Sequence, residues 1–259
     1  MAQIQIGYGR NGVWRERMAH EELVKTAILF VTFSVLLLAL LSAQAQGNFQ
    51  NLNFEQANPI GIPGDPYYVT TASALPGWTA YMGTTQQSAI LQNNYTLGSG
   101  SVNIFGPDYA AAGPQDTPSQ GIIDGNFTVF LQAGAPSPGL GNASIEQYGT
   151  VPIAAQSLDF KAWDWLPSSI LAVSFAGNSL SPVIIGTGPN YTLYAADISG
   201  FAGQSGQLEF SAVWNPNGAS YTELDDITFS PQAIPEPGTL ALILIGGLAL
   251  AARRRRRKG

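Results

Sequence analysis

Gln156–Trp163, QSLDFKAW, places Leu158, Phe160 and Ala162 on one side and Asp159, Lys161 and Trp163 on the other. That period of two is the mark of a half-buried strand. Gly206–Trp214, GQLEFSAVW, repeats it, with Leu208, Phe210 and Ala212 alternating with Glu209 and Ser211. Working outward, nine further segments have the same character: FQNLNFE from Phe49, PYYVTTA from Pro66, GWTAYM from Gly77, SVNIF from Ser101, NFTVFLQ from Asn126, ASIEQY from Ala143, ILAVSF from Ile170, YTLYAADI from Tyr191 and YTELDDITF from Tyr221. Each is short, rich in aromatic and β-branched residues, and bounded by Gly, Pro, Asn or Ser.

Eleven such segments, with no helical period between the two apolar terminal runs, predict an all-β domain, an antiparallel β-sandwich of jelly-roll type. Gly106–Gly121, GPDYAAAGPQDTPSQG, reads as a long exposed loop. About 190 residues between the terminal runs suit one core rather than two.

Composition then narrows the chemistry. Between Gln46 and Gly238 lie fourteen of the seventeen acids but only one base, Lys161, a formal net charge of about −13 that the whole-chain value of −6 conceals. Such a domain repels nucleic acid, because phosphate binding needs clustered Lys and Arg. No cysteine occurs, and the single histidine, His20, precedes the domain. Ser-His-Asp, Cys-His and His-ligated zinc sites are therefore excluded from it. Carboxylate chemistry survives, since a glycosidase needs only two spaced acids. Fourteen acids in such a domain are more often solvated surface or metal ligands, and the expectation is a protein that is not an enzyme.

Large amphipathic rings are the other resource. Trp163 and Trp165 flank Asp164, and Tyr191 and Tyr194 lie on another expected strand, while Trp78, Tyr81 and Trp214 complete the set. An exposed ring stacks on the apolar face of a sugar while a neighbouring carboxylate accepts its hydroxyls. Trp163, Asp164, Trp165 and Tyr191 are accordingly the candidate carbohydrate-binding residues, Trp163 foremost because its parity points it away from the core. A core role for each ring stays open. The sequons at Asn94, Asn126, Asn142 and Asn190 fit a composition rich in Asn, Ser and Thr.

Ala27–Leu41, AILFVTFSVLLLALL, follows Lys25 and precedes Ala43-Gln44-Ala45, the charged, apolar and small-x-small succession of a signal peptide. Cleavage by signal peptidase is expected after Ala45, making residues 1–45 the signal segment; Met18 is an alternative start, and an uncleaved anchor an alternative fate. At the other end, Pro235-Glu236-Pro237-Gly238 precedes an uncharged run, Thr239–Ala252, and the basic cluster Arg253–Lys258. As a short transmembrane helix the run would extend about 21 Å against a hydrocarbon core of about 30 Å, with the bases held on the cytoplasmic side.

Order and spacing in residues 233–259 closely resemble the PEP-CTERM sorting tail of bacterial envelope and exopolysaccharide-associated proteins. The resemblance implies export, transient residence in the inner membrane, processing by an exosortase near Pro235-Glu236-Pro237, and a destination in the cell envelope or outside the cell. Exopolysaccharide becomes a candidate partner. An ordinary tail anchor is the alternative.

The intervening domain, 46–232, resembles galactose-binding-like jelly rolls, including carbohydrate-binding modules, through Asn53-Phe54-Glu55, Pro76-Gly77-Trp78, the SIEQ at 144–147 and Leu224-Asp225-Asp226-Ile227. In such folds a calcium ion often staples the first strand to the last, which implies Glu55, Asp225 and Asp226 as ligands of a structural Ca2+. Asp225 shares the expected inward parity of Ile227 and Phe229, so burying it requires a cation or hydrogen-bonded partners. A strand-end carboxylate capped by backbone amides is the equal alternative. The functional expectation is an exported, non-catalytic protein whose jelly roll binds carbohydrate; the alternatives are a purely structural surface protein and a carboxylate-dependent, glycan-active enzyme.

Overall fold

A computed structural model describes residues 48–95, 99–109, 121–134, 141–214 and 219–234. All belong to the second of the two units into which the chain divides, residues 45–259. The expected signal peptide, the tail from Pro235 onward and most of the Gly106–Gly121 loop lie outside the described residues. Among those described, no helix is long and apolar enough to cross a membrane.

The first strands are β1 (Gly61–Ile62), β2 (Asp65–Thr70), β3 (Thr79–Met82), β4 (Thr85–Gln87), β5 (Ala89–Gln92), β6 (Ser101–Phe105), β7 (Thr128–Ala133) and β8 (Ala143–Thr150). There follow β9 (Ser157–Asp164), β10 (Leu171–Phe175), β11 (Asn178–Leu180), β12 (Val183–Thr187), β13 (Thr192–Asp197), β14 (Ser205–Ala212) and β15 (Ser220–Ser230). One helical turn, α1 (Thr71–Ala74), and a 3-10 turn at Ser199–Phe201 interrupt them. They form a sandwich of a nine-stranded sheet, in the order β1-β2-β5-β6-β7-β15-β9-β13-β12, and a six-stranded sheet, in the order β11-β10-β14-β8-β3-β4.

The alternation in QSLDFKAW and GQLEFSAVW holds. Leu158, Phe160 and Ala162 of β9 and Leu208, Phe210 and Ala212 of β14 all enter one core between the sheets. Phe210 meets Phe160 edge-on at 5.2 Å and Trp78 at 6.4 Å, so this ring contacts a residue of each sheet's neighbourhood and is fully covered.

Two local expectations fail for identifiable reasons. FQNLNFE is no strand, because Asn51 and Phe54 sit in the left-handed region at φ 50° and 60° and close a turn in which the Phe54 amide donates to the Asn51 carbonyl at 3.2 Å. Its apolar residues Phe49, Leu52 and Phe54 are buried all the same. The sheets are also not wholly antiparallel: β5 and β6 pair in parallel. Asn93, at φ 48°, turns the chain out of β5 and ties itself to β6, its amide donating to the Ile104 carbonyl at 3.0 Å and its side-chain oxygen accepting from the Gly106 amide at 2.7 Å.

Candidate functional site

The outer face of the nine-stranded sheet, opposite the main core, carries the chemistry. Three cross-strand rows can be followed on it. Ser101 opposes Gln132, which opposes Tyr221. Asn103 opposes Phe130, then Glu223, then Trp163. Phe105 opposes Thr128, whose hydroxyl donates to Asp225 at 2.6 Å; Asp225 in turn opposes Lys161.

The first end of this face is aromatic. Phe105, Phe130 and Trp165 form a second buried cluster, with Tyr95, Tyr109, Trp163 and Tyr221 packed around it. Trp165 lies 4.5 Å from Phe130, near-parallel, and its indole N–H donates to Glu223 Oε1 at 2.9 Å. The Gly121 amide donates to the same oxygen at 3.2 Å. Glu223 is wholly buried, which a carboxylate tolerates only with such donors around it.

Gly121–Phe127 straps across the face toward the acidic end. The Asp124 amide donates to Asp225 Oδ2 at 3.2 Å, the Ile123 amide to the Thr128 hydroxyl at 2.9 Å, and the Asn190 side-chain amide to the Ile122 carbonyl at 3.2 Å. At the end of the strap, Glu55 Oε1 accepts from the Asn126 and Phe127 amides at 2.8 and 3.0 Å, and Oε2 from the Asn126 side chain at 2.9 Å. Gly125 makes that approach possible: it sits at φ +60°, and a Cβ there would stand 2.4 Å from Glu55 Oε1. Glu55 is thus held by backbone amides of the strap, although it lies in a turn and not at a strand end.

A bulge in β15 supplies what the sequence pattern hid. Asp225 opposes Lys161 while Thr228 opposes Asp159, so β15 spends one extra residue between the two pairs, with Asp226 at φ 46°. Parity reverses across it: Leu224, Ile227 and Phe229 all enter the core. Asp225 keeps the outward parity of Glu223, which corrects the expectation that it faces inward with Ile227 and Phe229. The same extra residue turns Asp226 onto the outer face, where its Oδ2 lies 2.9 Å from the Lys161 ammonium; Asp124 Oδ2 lies 2.5 Å from it on the other side. Glu55, Asp225 and Asp226, expected together, do converge, joined by Asn53, Asp124 and Gly125 around a cavity of about 140 Å³.

Electrostatics follow burial and partners. Burial pushes the Asp225 carboxyl up to about 8, against the opposing pull of the Thr128 hydroxyl and the amides of Asp226 and Asp124. The Lys161 side chain and the Gly125 amide hold Asp124 below the usual range. Lys161 is desolvated, yet its hydrogen bonds to Asp124 and Asp226 outweigh that and raise it above an ordinary lysine.

These groups do not fit a calcium ion. Calcium takes six to eight oxygens at about 2.3–2.6 Å, whereas both oxygens of Glu55 and both of Asp225 already accept hydrogen bonds, and Asp124 and Asp226 face the ammonium. Among the described residues no cluster of three metal-ligating side chains is assembled for a metal.

The expected carbohydrate residues divide between two environments. Trp163 is half-buried on the outer face, and Tyr191 lies on the same side with the Lys161 ammonium 5.0 Å from its ring centre. Asp164, one residue out of phase with Trp163, turns to the edge of the inter-sheet space, where the Thr222 hydroxyl donates to it at 2.6 Å and burial raises its pKa. It lines a separate cavity with Phe160 and Tyr194. Trp165 is 3% exposed, so its ring offers no open platform. The chain leaves β9 there with the Trp165 amide bound to the Tyr221 carbonyl at 2.9 Å, which folds the indole over Phe130. Glu223, Asn103 and Gln132 were missed, although alternation in SVNIF, NFTVFLQ and YTELDD places them on the face away from Val102, Val129 and Leu224.

Comparison with known proteins adds one assignment. Residues 233–257 match the PEP-CTERM protein-sorting motif, a stretch that includes Pro235, Glu236, Pro237 and Gly238. The motif implies an exported protein, transiently anchored in the membrane and processed by exosortase. Among solved structures, the chain is similar to a cyclase from Fischerella sp. TAU, crystallised with 4-(1H-indol-3-yl)butan-2-one, at 13% identity over 74% of this chain and 99% of that one, with a TM-score of 0.37. No curated protein matches in sequence.

Proposed function

We propose that this is a non-catalytic protein of the cell envelope or extracellular matrix whose β-sandwich binds carbohydrate on the outer face of its nine-stranded sheet. One observation carries the reading. The half-exposed rings of Trp163 and Tyr191 share that face with Lys161, Asp124 and Asp226, giving stacking surface beside charged hydrogen-bonding groups. The acidic surface favours neutral glycans over anionic ones, because like charge repels.

Affinity electrophoresis of the full chain through gels containing neutral bacterial or plant polysaccharides tests it. Retardation of the wild type, lost in Trp163→Ala and in Tyr191→Ala, is the expected result. Equal mobility with and without every glycan overturns the proposal and leaves a purely structural surface protein.

A second reading rests on Glu223 and Asp225, two carboxylates two residues apart on one strand and about 7 Å apart along it. A glycan-active enzyme needs such a pair. Both are covered by the strap and engaged by protein donors, which favours binding over turnover. Release of reducing ends that Glu223→Gln abolishes would reverse that preference.

A further inference from the structure

We infer that Lys161 is the built-in cation of the acidic junction, and that its ammonium, rather than a bound divalent metal, holds the junction together. Three independent features converge on it. Lys161 is the one base between Gln46 and Ala252, and it pairs with Asp124 and Asp226, which line one cavity together with the acids Glu55 and Asp225. The other two groups of the junction, Glu55 and Asp225, are satisfied by hydrogen-bond donors from the strap and from Thr128 and need no positive charge of their own. The β15 bulge spends a residue in the left-handed region to bring Asp226 to the ammonium, a conformation that costs a non-glycine residue free energy and is retained where surrounding structure imposes it.

The junction links distant parts of the chain. Asp124 belongs to the strap before β7, Lys161 to β9, Asp226 to the last strand, and Leu52, one residue before Asn53, accepts a hydrogen bond from the Ile227 amide at 2.9 Å. One ammonium with two carboxylates at 2.5 and 2.9 Å therefore ties strap, sheet centre and the closing strand together. The Lys161 side chain is 15% exposed but those of Asp124 and Asp226 are 56% and 38% exposed, so water and salt screen both pairs at their carboxylate ends. Removing the ammonium leaves Asp124 and Asp226 facing each other without a counter-charge, and two carboxylates fall short of the six to eight oxygens that calcium takes.

Thermal unfolding of the full chain in detergent, followed by tryptophan fluorescence with EDTA or with excess calcium chloride, tests the inference. Wild type is expected to melt at one temperature under both conditions. Lys161→Met should melt roughly 2–5 °C lower, by the same amount in EDTA and in calcium, while Lys161→Arg, which keeps the charge, should melt close to the wild type. Stabilisation of the wild type by calcium overturns the inference, and that measurement decides even if the Met variant does not fold. A Lys161→Met variant that melts like the wild type, or that calcium restores, overturns it as well.

Discussion

In the nine-stranded sheet, β6, β7 and the Glu223–Asp225 stretch of β15 are buried on both faces, and the two faces are differently made. The inner face shows the six-stranded sheet Ile104, Val129, Leu131, Leu224, Leu158 and Phe160. The outer face, on the same strands one residue away, buries Asn103, Thr128, Gln132, Glu223 and Asp225. Burial alone stabilises the first set, at about 1.5–3 kcal/mol for a fully covered large side chain. In the second set burial is a cost that each hydrogen bond offsets. The inner face tolerates any well-filling apolar residue, whereas the outer one depends on particular donors: the Trp165 indole, the strap amides, the Thr128 hydroxyl and the Lys161 ammonium.

Breaking the inner face should have the largest effect. Phe160→Ala removes a ring packed on Phe210 and Tyr194 and is expected to cost about 3–5 kcal/mol, read as a lower urea midpoint with an unchanged slope. On the outer face, Trp165→Phe keeps an aromatic ring but leaves Glu223 without its indole donor. A loss of about 1–3 kcal/mol is expected, and a cost equal to that of Phe160→Ala would show that packing governs both faces alike.

The pH dependence separates them further, because only polar burial titrates. Asp225 has a pKa of about 8 in the folded chain against 3.8 for the free group, and burial also raises Asp159, Asp164 and Glu146. Between these limits the unfolded chain has released protons that the native one retains. These groups therefore favour the folded chain less as pH rises from about 4 toward 8. Asp124 and Asp197, whose pKa values are lowered, oppose this only in more acid solution. A melting temperature that climbs as pH is lowered from 8 to 5 is the expected observation; a flat profile would mean that the outer face is indifferent to proton binding.

Much of this was legible in QSLDFKAW and its companions, since a period of two reports directly which residues share a side. It was misleading where the backbone departs from a regular strand. Asn51 and Phe54 turned an apparently good strand into a turn, and the left-handed Asp226 exchanged inside for outside halfway along YTELDDITF. Trp165 shows the same limit. Its place one residue past the end of β9 is plain in the sequence, but the indole's destination depends on Glu223, fifty-eight positions away.

The sequence by itself determined the sandwich, the exclusion of histidine and cysteine chemistry from the domain, its acidic surface and the C-terminal sorting signal, because composition, alternation and a contiguous motif are local properties. Only the tertiary structure decided that Glu223 is buried on the outer face, that Asp164 and Trp165 do not share a platform with Trp163, and that Lys161 joins Asp124 to Asp226. Those outcomes depend on strand register and on one inserted residue, and a single residue of register is enough to carry a side chain from one face of a sheet to the other.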